Sequence, residues 1–358
     1  MSKGEKSIWD LVVDQANGIE KDERQPKDEA AVFVIGSKNS GKTSIILRFL
    51  DRDETPKPTT ALEYTYGRRA RASNLAKDVA HIYELGGGTW LSKLMAIPLS
   101  ADTLKNTALV MVLDLSQPNE LWATLECLLN EAQSKVKVAM NELKNKNPEL
   151  AQKMEQAAWE RVGEDHPDKE LLDPFPIPLA IIGSKYDLFQ EFEPEKRKTI
   201  CKTLRFVAHS YGATLIFFSS KQETLIQRTR ALISHYVFGT NMSKTVQVDQ
   251  NKPLLIPAGL DAASQIGSPP LSDDELGVGS AKTPLDLWKR AYCSMFPQEN
   301  LNTPTSVEDP AKDIQYAEPA IDSMRKQKDE ELERYRRLCE RRAKEAEQQA
   351  MLNEGIAY

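Results

Sequence analysis

The sequence predicts an α/β domain whose mostly parallel sheet carries helices on both faces. Three observations predict it. First, a complete G-x-x-x-x-G-K-T loop, Gly36-Ser37-Lys38-Asn39-Ser40-Gly41-Lys42-Thr43, lies between the apolar run 31–35 and the amphipathic stretch 44–50. Strand, loop and helix thus follow in the order a phosphate cradle needs. Second, the runs 108–113 and 178–183 are continuous and β-rich, as strands buried on both faces should be. Third, stretches with helical spacing alternate with such runs as far as about residue 240, and alternating strands and helices close into a parallel sheet.

The elements follow in chain order. Residues 1–28 are polar and charged apart from Ile8-Trp9 and Leu11-Val12-Val13, which suggest one short helix in a flexible lead-in. In the loop, two glycines let the backbone bend so that successive N–H groups face a polyphosphate, with the positive end of the helix dipole behind them. Lys42 is placed to reach the terminal phosphates and Thr43 to hold Mg²⁺. The proline-bearing connection 51–60 has no regular structure. Leu62, Tyr64 and Tyr66 alternate with polar residues, as does 79–85 after a turn near Ser73-Asn74, so the pair reads as an antiparallel hairpin. Gly86-Gly87-Gly88 marks a place where the backbone passes close to something.

Between the strands 108–114 and 178–183 lies an insertion, 116–165. Leu121, Leu125, Leu128, Leu129, Ala132, Val136, Met140 and Leu143 keep helical spacing, Pro148 can open a second helix and Gly163 ends the pattern, so the insertion reads as a helical hairpin or as a helix with an extended arm. A helix over 195–209, a strand over 213–218 and a last helix through Leu225, Ile226, Leu232, Ile233 and Tyr236 complete a domain over 29–240. Residues 241–300 form a linker or strap rich in Pro, Gly and Ser, followed by a Thr283-Pro284-capped helix with Leu285, Trp288, Tyr292, Met295 and Phe296 on one stripe. That stripe needs a surface, either its own domain or a partner's groove. The tail 301–358 is charged, and 321–349 has the composition of a solvated helix or disordered segment with no clean heptad.

Composition narrows the function. With 358 residues and a net charge of -6 from interleaved acids and bases, the chain has no basic stripe, which argues against nucleic acid. Cys127, Cys201, Cys293 and Cys339 fit neither zinc spacing nor a disulfide framework, so they are expected to be reduced thiols. His81, in a strand pattern, is expected to be a packed core residue. No apolar run approaches the length of a membrane span, and the expectation is a soluble intracellular protein without membrane insertion.

Five pieces fall where an open α/β sheet binds ligands, and together they resemble the Ras-like GTPase fold. Beyond the loop, Pro58-Thr59 is similar to the switch threonine that completes Mg²⁺ coordination. Glu84-Leu85-Gly86-Gly87-Gly88 stands where those GTPases have Asp-x-x-Gly and glutamine, Ser184-Lys185-Tyr186-Asp187 where they have Asn-Lys-x-Asp, and Ser219-Ser220-Lys221 where they have the last base-contacting box. The resemblance implies GTP or GDP held by residues 36–43 with Lys185, Asp187, Ser220 and Lys221, and Mg²⁺ held by Thr43, Thr59 and Glu84. A nucleotide-free domain is the other reading. No catalytic residue is assigned. Gly88 replaces the glutamine that orients the attacking water, Glu84 replaces an aspartate, Lys38 stands where Ras has glycine, and Ser184 lacks the base-loop amide.

More specific still are residues 56–69 (PKPTTALEYTYGRR), 84–89 (ELGGGT), 181–187 (IIGSKYD) and 266–270 (IGSPP). Over about residues 30–335 the chain resembles the dynein light intermediate chains, in their dynein 2 branch. The resemblance implies a non-catalytic subunit whose GTPase-like domain binds and stabilises the dynein 2 heavy chain, beside other dynein 2 subunits and intraflagellar transport particles. It implies retrograde transport and cilium assembly, with a place in the cytoplasm and cytoskeleton and in the cilium's axoneme and basal body. The alternative is a GTP-binding switch with slow hydrolysis.

Overall fold

Strand β1 (Ala30–Gly36) is apolar at successive positions because both its faces are covered, and its side chains divide between them with period two. Phe33 and Ile35 enter one core, with Leu109, Met111, Leu113 and Ile181, while Val32 and Val34 enter the other, with Val110, Val112, Ile182 and Ile216. The computed structural model describes residues 29–71, 74–243, 245–270, 283–298 and 318–354. Chain contacts divide it into two units, Met1–Leu301 and Asn302–Tyr358. The proposed lead-in over 1–28 lies outside the described residues, as do 271–282 of the strap and 299–317.

In the first unit, β1 is followed by helix α1 (Lys42–Phe49), strands β2 (Leu62–Arg71), β3 (Asn74–Leu85) and β4 (Thr107–Asp114), and the helices α2 (Pro118–Lys146) and α3 (Pro148–Val162). Strand β5 (Leu179–Ser184), helix α4 (Pro194–Ser210), strand β6 (Thr214–Phe217), helix α5 (Glu223–Phe238), strand β7 (Leu255–Ile256) and helix α6 (Pro284–Met295) complete it. The sheet order is β2-β3-β1-β4-β5-β6-β7. Pairs β1–β3, β1–β4, β4–β5 and β5–β6 are parallel, and the edge pairs β2–β3 and β6–β7 are antiparallel. The C-terminal ends of β1, β3, β4 and β5 therefore lie side by side, where the loops that follow them can converge.

The 29-residue α2 buries Leu121, Leu125, Leu128, Leu129, Ala132, Val136, Met140 and Leu143 in the domain core. Asn147 then caps α3 by accepting the Leu150 amide, Pro148 fills the first helical position, and Gly163 ends the helix at φ 102°. In α6, the Thr283–Asp286 capping box sets the N-terminus. Trp288, Tyr292 and Phe296 are buried against the same domain, Trp288 stacking on Phe206 of α4 and Tyr292 packing at a tilt against Trp122 of α2. Tyr292 also donates to the Pro118 carbonyl at 2.9 Å. The apolar stripe therefore covers its own core and is not a free docking face.

Two expectations are corrected. His81 is only partly buried: Tyr64 Oη bonds its Nδ1 at 2.8 Å and Glu29 pairs with its Nε2, so it sits in a polar network where β2 meets β3. The strap 241–270 is more than a surface linker, since Leu255 and Ile256 pair with Ile216 and Leu215 as a seventh strand. Two residues flanked by prolines leave too little periodicity to announce a strand. The four cysteines are free, and burial pushes the Cys201 thiol up to about 12, which keeps it unreactive at neutral pH.

In the second unit, helix α7 (Pro319–Glu354) is a continuous 36-residue helix, resolving the choice between helix and disorder over 321–349. Ile321, Met324, Leu332 and Tyr335 are exposed, and Arg334–Glu330, Arg337–Glu333, Arg336–Glu340 and Arg341–Glu345 are paired at i,i+4. Such pairs add only about 0.3–0.5 kcal/mol each. Among the described residues, no helix is long and apolar enough to cross a membrane.

Candidate phosphate and cation site

The phosphate loop leaves β1 at Gly36 and enters α1 at Lys42. Asn39 (φ 62°) and Gly41 (φ 91°) take left-handed conformations, which turn successive amides toward one side at the helix N-terminus. Ser37 is half-buried, Lys38 and Asn39 are exposed, and Ser40 is fully buried beneath the loop. Lys42 is buried, with its ammonium donating to the carbonyls of Gly36 (3.3 Å) and Ser37 (2.8 Å). Burial lowers its pKa and the nearby Glu84 carboxylate partly restores it. A buried amine held by two loop carbonyls at a helix N-terminus suits a phosphate oxygen.

The three residues assigned to a cation meet at one point. Thr43 Oγ1 donates to Glu84 Oε1 at 2.8 Å, Thr59 Oγ1 donates to the same oxygen at 2.9 Å, and the two hydroxyls are 3.3 Å apart. Register explains the position of Glu84, since β3 pairs with β1 so that Glu84 lies beside Val34, just before the strand gives way to the loop at Gly36. Two hydroxyls and a carboxylate form an oxygen-only set, the kind that hard cations such as Mg²⁺ prefer.

Two glycines of the 86–88 run hold this geometry. At Gly86, a Cβ would lie 2.6 Å from the Thr59 carbonyl, so only glycine lets the 59–61 segment close on β3, where the Gly86 amide donates to Ala61. At Gly88, φ is 59° and a Cβ would lie 3.2 Å from the Lys38 amide nitrogen. Gly88 is therefore left-handed backbone lying close against the phosphate loop. A glutamine there would be strained as well as crowded.

At the opposite end, Ser184 is buried and donates to the Leu113 carbonyl at 3.1 Å. Lys185, at φ 56°, pairs with Asp114 at the end of β4. Asp187 accepts from Ser219 Oγ at 2.8 Å and pairs with Lys221 Nζ at 2.6 Å. Burial raises its pKa, but the Lys221 and Ser219 hydrogen bonds outweigh that and leave it lowered. Ser220 is exposed. Both Asp187 oxygens thus already have partners, and a guanine would have to displace Lys221, which is 72% exposed and held by a weak surface pair. Sequence reasoning overlooked Asp114, although an acid closing a buried strand at the ligand-binding end of the sheet was visible.

Comparisons with known proteins speak to the family and the fold. The sequence profile of the family described as "Dynein light intermediate chain (DLIC)" matches residues 4–177 and 166–268. The chain is 57% identical over 319 residues to cytoplasmic dynein 2 light intermediate chain 1 of Bos taurus, covering 89% of this chain and 91% of that protein. It is 52% identical over 347 residues to the Homo sapiens protein of the same name, covering 96% and 98%. A crystal structure of the dynein light intermediate chain's conserved domain superposes with a TM-score of 0.51 at 18% identity, covering 75% of this chain and 89% of that one. At that identity the superposition speaks for the fold, which is the Ras-like P-loop architecture.

Proposed function

The chain belongs to the dynein light intermediate chain family, and from that premise we propose that it is a non-catalytic subunit of the cytoplasmic dynein 2 motor. In this reading its GTPase-like domain binds and stabilises the dynein 2 heavy chain for retrograde intraflagellar transport and cilium assembly. The observation that carries the non-catalytic reading is Gly88, whose left-handed backbone against Lys38 excludes a water-orienting side chain. Any nucleotide, GTP or GDP with Mg²⁺, acts as a folding ligand. Residues 36–43 would hold its phosphates, Thr43, Thr59 and Glu84 its cation, and Asp187 its base once Lys221 has moved. Such a ligand stabilises the domain by mass action and needs no cycle of hydrolysis.

A nucleotide-controlled switch is the second reading, favoured by the two contacts of Thr59, one with Thr43 and one with Glu84. Co-precipitation of the heavy chain with the Lys42→Ala variant separates the two. A structural subunit retains the heavy chain at the wild-type level as long as circular dichroism shows the variant folded. A folded Lys42→Ala that loses the heavy chain overturns the structural reading in favour of the switch.

Hydrolysis supplies an independent check. Phosphate release by the purified protein should fall well below the ~3–5 × 10⁻⁴ s⁻¹ of an intrinsic small GTPase. Turnover at or above that rate, abolished in Lys42→Ala, would show that another group does the work assigned to the missing glutamine.

A further inference from the structure

On the far side of the domain from β1, three segments that are distant in sequence meet through titratable side chains. His166 and Asp168 follow the turn that ends α3, His209 lies in the last turn of α4, and one ligand atom from each lies within 4.8 Å of the others. His209 Nε2 is 3.0 Å from Asp168 Oδ2, and the two imidazole rings are 5.2 Å apart.

The contacts outside this triangle orient it. His166 Nδ1 accepts the Asp168 amide at 3.1 Å, which puts the ring proton on Nε2, and Nε2 faces the Asp261 carbonyl at 3.1 Å. Asp168 Oδ2 also accepts the Ala263 amide at 2.8 Å. Donation from one ring nitrogen to a carbonyl is the outer-shell arrangement that fixes metal-ligating histidines, and Nδ1 is then the nitrogen that ligates, an ion taking the lone pair from the Asp168 amide. Arg205, one turn before His209 on α4, makes two hydrogen bonds to Asp261 at 2.9 and 2.6 Å, so its charge is already balanced.

We propose that His166, Asp168 and His209 form a structural site for a borderline divalent cation, zinc by preference, that ties the end of the helical insertion to α4 and to the strap. Two imidazoles and one carboxylate select zinc or cobalt over magnesium and calcium, which favour all-oxygen sets. Bonds of about 2.0–2.2 Å draw the widest edge of the triangle inward. The ion replaces two hydrogen bonds, that of His209 to Asp168 and that of the Asp168 amide to His166 Nδ1, and leaves the outer contacts to Asp261 and Ala263 in place.

The test uses the full chain, stripped with chelator and equilibrated with buffered zinc, with bound metal measured by atomic emission. Cobalt supplies a parallel reading through its visible d–d bands. Wild-type protein should bind one equivalent at this site and melt higher with zinc than without it. His166→Gln and His209→Gln should lower affinity by at least the ~10–100-fold that loss of a mere outer-shell partner costs. Where His209→Gln does not fold, Asp168→Asn takes its place, since it keeps an oxygen for the Ala263 amide. Folded wild type that takes up no zinc overturns the proposal, as do folded variants that bind as much as wild type, and the cluster is then a hydrogen-bonded staple only.

Discussion

Trp288→Ala is expected to destabilise the first unit by about 3–5 kcal/mol, the range for truncating a buried large aromatic. The indole is 2% exposed, stacks on Phe206 with ring centroids 5.1 Å apart, and shares its core with Trp122 and Tyr292. Truncation leaves a void between α4 and α6 that close-packed neighbours fill only in part. Urea denaturation followed by circular dichroism gives the measurement. Trp288→Phe should recover much of the loss, because it keeps a ring against Phe206. Had the stripe been a partner's docking face, the isolated protein would unfold at the same urea concentration with Ala as with Trp, and that outcome would refute the burial described above.

Asp261→Ala should cost a comparable 3–5 kcal/mol, for an electrostatic reason. Arg205 and Asp261 are 8% and 4% exposed, and the guanidinium meets both carboxylate oxygens. Removing the acid leaves a cation that has lost both water and counter-ion. The strap should loosen with it, because Asp261 lies five residues beyond Ile256 of β7 and its carbonyl faces His166. Amide exchange at Leu255, which donates to the Gln247 carbonyl, reports that loosening directly. The double variant Arg205→Met/Asp261→Ala should regain most of the stability, since replacing a whole buried pair by apolar groups is often neutral. A double variant no better than Asp261→Ala would show that packing, and not the unpaired charge, sets the cost.

Much of this protein was determined by its sequence alone. The loop 36–43, the two-faced strands β1, β4 and β5, the hairpin of β2 and β3 and the apolar stripe of α2 are all written in neighbouring residues. Backbone preference and side-chain period act over a few residues, so a strand or helix announces itself locally. The same holds for the absence of glutamine at position 88. Gly88 is read directly from the chain, although its left-handed conformation against Lys38 is not.

The tertiary structure alone decided which distant groups meet. Thr43, Thr59 and Glu84 had been assigned one role by resemblance, but their shared oxygen depends on β3 pairing with β1 in the register that sets Glu84 beside Val34. Asp187 was assigned to a base, yet Lys221 and Ser219 already occupy its oxygens. The Trp288 stripe fitted its own core or a partner equally well until α4 and α2 were seen to receive it. Arg205 with Asp261, and His166 and Asp168 with His209, come from segments whose sequences say nothing of one another. Such encounters follow from the burial of the whole core, a sum over many residues in which no local stretch states which surfaces will face each other.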